Sequence, residues 1–205
     1  MKKFVLLILV LLPFAGIAQR FNGGVLAGGL VSQVDGDNQA GYYKFGYLGG
    51  AFVSLKLSRR SSLQLEMEYI QKGSRLNADS NTNTGTTYVT RLHYLEIPVL
   101  YQLSFGKRFQ DEFGAAADVL LGSYVAVNGL ESNGYVPYRS FTASGIAGFS
   151  CFITDHLKAG LRVNYSLMSV RDGYVYGQRQ IFFEAGQYNN VLSVGLSWYF
   201  LEREY

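Results

Sequence analysis

Hydrophobic and polar residues alternate with a period of two along much of the chain, most clearly near its end. Every second residue between positions 192 and 200 is large and apolar, namely Leu192, Val194, Leu196, Trp198 and Phe200. The residues between them are Ser193, Gly195, Ser197 and Tyr199. Because successive side chains of a strand point to opposite faces, this period predicts a β-strand with one apolar and one mostly polar face.

Seven further segments predict strands with different clarity. The alternation is clear at residues 53–58, 63–70, 95–103, 113–122 and 157–168. Two Gly-rich segments, near residues 20–32 and 140–153, also predict strands, but their pattern leaves open which face is apolar. The sequence therefore predicts an all-β chain of eight strands.

The breaks between the predicted strands alternate in length. Short breaks fall at residues 58–61, 104–111 and 154–156, and long polar breaks at residues 33–43, 74–87, 127–139 and 171–187. Tilted strands of about 9–11 residues can cross a bilayer, and short turns on one side with long loops on the other are typical of outer-membrane barrels. The predicted fold is an eight-stranded antiparallel up-and-down transmembrane β-barrel with both termini on the periplasmic side.

A soluble lipocalin-like barrel is the alternative, since it also has about eight antiparallel strands. The strand faces opposite the apolar residues carry Glu66, Glu68, Glu96, Asp118, Lys158, Arg162 and Asn164. Ionised groups are costly inside a soluble barrel unless they are paired, whereas they are ordinary in the polar lumen of a membrane barrel. This contrast favours the membrane barrel.

The first eighteen residues have the three-part pattern of a secretory signal peptide. Lys2 and Lys3 give a positive start, residues 4–12 are an unbroken apolar run, and small residues precede Gln19. The apolar run is too short for a membrane-spanning helix, which needs about 20 residues. We predict cleavage after Ala18, which leaves residues 19–205 as one exported barrel domain.

Composition and charge exclude several other classes of protein. The 205 residues are 48% hydrophobic and 16% charged, too apolar for a disordered chain. The net charge of +3 falls to +1 without Lys2 and Lys3, which gives no electrostatic footprint for nucleic acid. The one cysteine, Cys151, excludes an intramolecular disulfide and a cysteine-cluster metal site. We expect no metal and no cofactor.

An acyl-transferring enzyme would need a histidine, a serine and an orienting carboxylate near the outer rim. His156 falls in a short break, on the wrong side, and the residues two positions from His93 are Arg91 and Leu95 rather than serine. Arg91 and His93 fit contact with lipid phosphate at the membrane interface instead. We therefore expect no enzymatic activity.

The inward-facing charged residues fall at similar heights along their strands. We expect them to form a charge network across the lumen made of Glu66, Glu68, Glu96, Asp118 and Arg162. Long side chains, with Tyr94 and Tyr124 above them, would fill the interior of an eight-stranded barrel. We interpret the network as a structural plug in which Arg162 neutralises the carboxylates. A proton or ion path is the alternative interpretation.

The longest break, residues 171–187, is the leading candidate for a binding loop. Its arginines and aromatic residues suit a protein or glycan partner, and they are Arg171, Tyr174, Tyr176, Arg179, Phe182 and Phe183.

Several strings resemble a known family. Residues 94–100, YLEIPVL, resemble the "YLEIPLL" strand of the PorT-type outer-membrane β-barrel family common in Bacteroidetes. Residues 66–73, EMEYIQKG, resemble that family's "E-x-x-Y-x-x-K-G" strand end, and residues 162–166, RVNYS, are similar to its "R-Y-S" strand. The resemblance covers essentially the whole of residues 19–205.

This resemblance implies an eight-stranded outer-membrane barrel, and some members of the family serve in protein secretion. We expect a monomeric, non-enzymatic barrel with a plugged lumen, acting as a structural or binding module through its surface loops, with a role as an accessory to secretion. The expected partners are outer-membrane lipid, the barrel-assembly machinery and secretion-system proteins. The alternative is a small-solute porin, whose aqueous channel would need about 16 strands.

Overall fold

Eight long strands form the body of the protein in the computed structural model, which describes residues 21–37, 41–77, 85–132, 137–171, 179–181 and 184–202. They are β1 (Phe21–Asp35), β2 (Lys44–Lys56), β3 (Ser61–Leu76), β4 (Tyr88–Phe105), β5 (Phe109–Val127), β6 (Phe141–Phe152), β7 (Leu157–Ser166) and β8 (Tyr188–Tyr199). Three short strands, Leu130–Glu131, Arg179–Ile181 and Glu184–Gly186, lie in the connections. The predicted leader, residues 1–18, lies outside the described residues and stays a prediction.

Each long strand pairs antiparallel with the next one along the chain, and β8 pairs back with β1. The closing pair runs from Gly24 opposite Tyr199 to Asp35 opposite Tyr188. The result is a closed eight-stranded antiparallel β-barrel, so the predicted fold class is confirmed. Within the described residues, no helix is long and apolar enough to cross a membrane.

The connections alternate in length as the sequence predicts. Residues 57–60, 106–108 and 153–156 make the short turns, and residues 36–43, 77–87, 128–140 and 167–187 span the long connections at the other end. The predicted break at residues 104–111 is too long, because β4 runs to Phe105 and β5 starts at Phe109. The turn is tight at Gly106, where φ is +58°, a conformation that glycine adopts without strain.

The connection after β5 begins with a two-residue hairpin. Asn128 and Gly129 have positive φ values of +52° and +79° and join Val127 to its partner Leu130. Asn-Gly favours this turn because both residues tolerate the left-handed conformation. A short ribbon thus extends β5 into the predicted long break.

The two faces of the strands differ as the alternation predicts. The outward residues of β8, Leu192, Val194, Leu196 and Trp198, are exposed, whereas Ser193, Ser197 and Tyr199 are buried in the interior. The structure also settles the faces of β1 and β6, whose buried inward residues include Leu26, Leu30, Ser32, Val34, Thr142, Ser144, Ile146 and Ser150. The barrel is therefore apolar outside and largely polar inside, the reverse of a soluble barrel.

A β-bulge changes the facing of the last part of β5. The register between β4 and β5 shifts by one residue at His93, which leaves Leu121 as the extra residue. One extra residue turns the following side chains to the other face. The prediction that Tyr124 points into the lumen is therefore wrong: its ring lies beside the exposed Arg91, with 5.3 Å between the guanidinium carbon and the ring centre.

Two apolar clusters occupy the ends of the interior. Leu30, Ile70, Leu92, Tyr94 and Val191 lie toward the long connections. Leu26, Phe52, Phe152 and Tyr199 lie toward the short turns. Charged and polar side chains occupy the middle of the lumen, where they are shielded from solvent on both sides.

Candidate functional site in the barrel lumen

Arg162 spans the lumen from β7 to β3. Its guanidinium donates two hydrogen bonds of 2.7 Å to Glu66, from Nη1 to Oε2 and from Nη2 to Oε1. Its Nε donates to Oε2 of Glu112 on β5 at 2.8 Å. The Nζ of Lys158 donates to the other oxygen of Glu112 at 2.6 Å. These four residues, Glu66, Glu112, Lys158 and Arg162, are called the lower cluster.

Neutral side chains complete the hydrogen bonding of the lower cluster. Gln64 donates to Glu66 at 2.5 Å, and Gln102 and Ser150 each donate to Glu112 at 3.2 Å. Both carboxylates are 1% exposed. Two carboxylates thus face two cations, and the dense hydrogen bonding offsets the desolvation that makes buried ion pairs expensive.

Gly148 leaves space for the Arg162 side chain, which joins β7 to β3. Gly148 of β6 is the cross-strand neighbour of Arg162. A Cβ at this position would lie 2.9 Å from Cγ of Arg162 and 2.9 Å from the backbone oxygen of Leu161. Because these distances are shorter than van der Waals contact, any side chain at position 148 would displace the arginine.

Lys72 and three carboxylates form a second group, the upper cluster, nearer the long connections. Glu68, Glu96 and Asp118 are direct cross-strand neighbours on β3, β4 and β5. The fully buried Lys72 forms ion pairs with Glu96 and, at 2.9 Å, with Asp118. Asn164 reaches across the lumen from β7 and donates from Nδ2 to Oε1 of Glu96 at 2.7 Å.

The upper cluster has three carboxylates for one ammonium group. Among the described residues, Oε2 of Glu68 and Oδ2 of Asp118 have no hydrogen-bond partner, although both side chains are at most 3% exposed. Paired residues of neighbouring strands have Cα atoms only about 4.5–5.5 Å apart, so carboxylates in one row repel each other. In the described part of the chain, no cluster of three or more acidic, His or Cys side chains is arranged to hold a metal ion.

Arg162 does not hydrogen-bond all four of the carboxylates that the sequence predicts as its partners. Among them it hydrogen-bonds Glu66 alone, while Glu96 and Asp118 are bonded by Lys72. The reason is height, since the row of neighbours on β3, β4 and β5 lies closer to the long connections. The predicted network is therefore divided into two clusters with different cations.

Sequence reasoning missed two ion-pair partners, Lys72 and Glu112. Lys72 has the same parity as Glu66 on β3, so extending the alternation from residue 70 to residue 72 would have placed it inside. Glu112 has the same parity as Asp118, but the predicted break covered residues up to 111 and the predicted strand began at 113. An accurate turn length would have found it.

The lumen opens at the short-turn end into a cavity of about 330 Å³. Gln102, Gln110, Phe152 and Tyr199 are among its lining residues. Gln102 also donates to Glu112, so the lower cluster lies directly behind this cavity.

The predicted binding loop is described only in part, at residues 171, 179–181 and 184–187. Arg171 is 6% exposed, with its guanidinium carbon 4.5 Å from the centre of the Tyr138 ring. Arg171 also pairs with Tyr138 across two long connections, and its role in binding stays a prediction. Tyr174, Tyr176, Phe182 and Phe183 lie outside the described residues, and Arg179 is described only as part of the strand Arg179–Ile181.

The two histidines lie far apart, near opposite ends of the barrel. Nδ1 of His93 shares a hydrogen bond with the hydroxyl of Tyr69, and His156 stacks on Trp198 in a short turn. Within the described residues, neither ring hydrogen-bonds a serine side chain. The pairing needed for acyl transfer is not formed by these residues.

A closed barrel of eight strands with an apolar outer face and a charged lumen defines a class of protein, the outer-membrane β-barrels. The sequence pattern of the family described as outer membrane protein beta-barrel domain matches residues 15–172. The chain belongs to this family, and its place is the outer membrane.

Several solved structures are similar to this chain, although their sequence identities are low. Neisserial surface protein A (NspA) is 12% identical with a TM-score of 0.51, and the match covers 87% of this chain and 96% of NspA. Ail, the attachment invasion locus protein of Yersinia pestis, is 9% identical with a TM-score of 0.47, covering 87% and 98%. The structure of Ail in complex with the heparin analogue sucrose octasulfate is 7% identical with a TM-score of 0.48, and the match covers 88% of this chain and 99% of Ail. The likeness to NspA shows the fold alone. None of the curated proteins matches this chain in sequence.

Proposed function

We propose that the protein is a non-enzymatic structural or binding module of the outer membrane, with a plugged lumen and a working surface on its long connections. The observation that carries this proposal is the bridge of Arg162 from β7 to Glu66 on β3, with Glu112 of β5 bonded to the same guanidinium. Three walls of the barrel are thus joined through its centre by buried hydrogen bonds.

The size of the barrel supports the plug. Eight strands enclose an interior that side chains just fill, whereas aqueous channels need about 16 strands. The charged clusters lie in the middle of this interior, and the apolar clusters lie toward its two ends. A small-solute porin is therefore the less favoured function.

The long connections support a role in recognition. Barrels of this class have short periplasmic turns and longer extracellular loops, and loops carried on a rigid scaffold are common binding surfaces. The resemblance of residues 94–100 to the PorT-type family makes secretion-system proteins the proposed partners. In this proposal the barrel is a monomeric accessory to protein secretion.

Site-specific photo-crosslinking in cells tests the loop function. A photoreactive residue replaces Leu130, which is 76% exposed and directly follows the hairpin turn, and a matched control replaces Arg59 in the opposite turn. We expect one defined protein adduct from position 130, none of the same mass from position 59, and loss of the adduct when residues 174–183 are deleted. Heat-modifiable gel migration checks that the deletion variant still folds. Protein adducts from position 59 alone, or from neither position, would contradict the proposal.

A further inference from the structure

The outer face of β4 changes from apolar to basic toward the long connections. Its outward residues from the short-turn end are apolar, namely Leu103, Tyr101, Val99, Ile97 and Leu95. The next two outward residues are His93 and the exposed Arg91. Because the apolar band of a barrel matches the hydrocarbon core, these two residues lie at the height of the lipid headgroups.

A second exposed arginine lies beside this boundary. Arg75 of β3 pairs with Val89, and Arg91 pairs with Gly73, so the two arginines occupy diagonal positions on neighbouring strands. Diagonal residues are about 7–8 Å apart, within the reach of two long side chains toward one shared group. Gly73 has no side chain to stand between them.

A third cation adds to the positive field. Lys44 is buried, with its ammonium held by hydrogen bonds to Oε1 of Gln71 and to the backbone oxygen of Phe45. Its charge lies close enough to Arg75, Arg91 and His93 to interact with them electrostatically. In the described part of the chain, no carboxylate forms an ion pair with Lys44, Arg75 or Arg91. Lys44, Arg75, Arg91 and His93 are called the basic patch.

Aromatic side chains lie beside the basic patch. Tyr69 hydrogen-bonds His93 and stacks on Tyr47, with 5.6 Å between the ring centres. The ring of Tyr124 lies 5.3 Å from the guanidinium carbon of Arg91. Tyrosines at a membrane interface place an apolar ring against acyl chains and a hydroxyl toward headgroups.

The opposite side of the barrel, at the same end, carries negative rather than positive charge. Asp35 accepts hydrogen bonds from the Tyr165 hydroxyl at 3.0 Å and from the Asn190 amide at 3.3 Å. Tyr42 in turn donates to Asn190 at 2.8 Å. The rim near β8 and β1 is thus acidic and neutral, so an anion in the outer leaflet is attracted to the β3–β4 side.

We propose that the basic patch binds a phosphate group of an outer-leaflet glycolipid. Two exposed guanidinium groups at headgroup height match the geometry of a phosphate, which arginine binds through paired hydrogen bonds. Tyr47 and Tyr69, which lie nearer the middle of the membrane than the two arginines, contact the acyl chains of the same lipid. This inference rests on the outer-membrane location and is independent of the loop function.

Native mass spectrometry of the folded protein in detergent micelles tests the proposal, with bisphosphorylated lipid A as the probe and enzymatically dephosphorylated lipid A as its control. The double variant Arg75→Gln/Arg91→Gln removes both exposed charges, and Arg59→Gln/Arg60→Gln removes two from the opposite turn. Each cation near a membrane surface contributes enough that losing two weakens binding about tenfold or more. We expect that loss for the first pair of substitutions and none for the second.

Three results would overturn the lipid site. They are equal binding of phosphorylated and dephosphorylated lipid A, equal losses for the two double variants, and displacement of the lipid by inorganic phosphate at the lipid's own concentration. The last result would identify a site for soluble anions. If the double variant does not show heat-modifiable migration, the single variant Arg75→Gln, at an exposed position, gives the same comparison with a smaller loss.

Discussion

The lower and upper clusters occupy the same lumen and use the same residue types, but their charges are balanced differently. In the lower cluster two carboxylates face two cations, and each carboxylate also receives hydrogen bonds from neutral side chains. In the upper cluster Lys72 is ion-paired with Glu96 and Asp118, and the neighbouring Glu68 has no ion pair there, although it interacts electrostatically with Arg162 as well as with Lys72. Carboxylate oxygens of Glu68 and Asp118 lack hydrogen-bond partners among the described residues.

The two clusters differ in which substitutions they tolerate. The planar guanidinium of Arg162 binds carboxylates on different strands, and Lys158 also hydrogen-bonds one of them, Glu112. Lysine is a compact charge, and the upper cluster has no second one. The lower cluster therefore tolerates the loss of one cation better than the upper cluster does.

Replacing Lys72 is expected to have the largest effect. Lys72→Met keeps an apolar stem of similar length but leaves the buried Glu96 and Asp118 without their ion-pair partner. Breaking a buried ion pair in this way costs about 3–5 kcal/mol of unfolding free energy. Urea unfolding in micelles, followed by heat-modifiable gel migration, measures the change, with the exposed Arg59→Met as a control. Equal unfolding midpoints for the two variants would show that Lys72 does not hold the upper cluster together.

Replacing Arg162 comes second. Arg162→Leu is expected to cost about 3 kcal/mol, the lower part of the range, because Lys158 still pairs with Glu112. The charge left unpaired is that of Glu66. Adding Glu66→Gln to the variant should recover about 1 kcal/mol or more, since the orphaned charge is gone. Purely additive losses in this double-mutant cycle would contradict the assigned ion pair.

Replacing Glu68 should have the smallest effect and the opposite sign. Glu68→Gln removes one surplus carboxylate without changing side-chain size, so it is expected to stabilise the barrel by up to about 1 kcal/mol. The matched substitution Glu112→Gln leaves Lys158 without its counter-ion and is expected to cost about 1.5–3 kcal/mol. The same unfolding assay compares them, and equal destabilisation by both variants would refute the difference in charge balance.

The barrel itself could be predicted because its cause is local. Alternation with a period of two, read together with the lengths of the breaks, assigned the apolar residues of β8 to the outer face and the charged residues of β3 and β7 to the lumen. Both features depend only on which side of a strand meets lipid. The Gly-rich β1 and β6 carried too few large side chains for this reading, and the structure was needed to assign their faces.

The pairing of charges could not be predicted because it depends on register across strands. The bulge at Leu121 turns the Tyr124 side chain from the lumen to the outer face. No residue type near the bulge indicates in the sequence that the strand has an extra residue there. The tight turn at Gly106 places Glu112 inside, where a longer turn had been predicted. Whether a carboxylate pairs with Arg162 or with Lys72 depends on the relative heights of residues on different strands of the closed barrel. The sequence of a single strand does not determine these heights.

Single-channel recording in planar bilayers tests whether side chains close the lumen. The intact monomer, refolded and inserted, is expected to give no stable conductance steps, because hydrogen-bonded side chains join β3, β5 and β7 through the centre. A sixteen-stranded porin in the same bilayer serves as the positive control. Reproducible large steps from the intact monomer would contradict the plugged lumen and favour a small-solute porin.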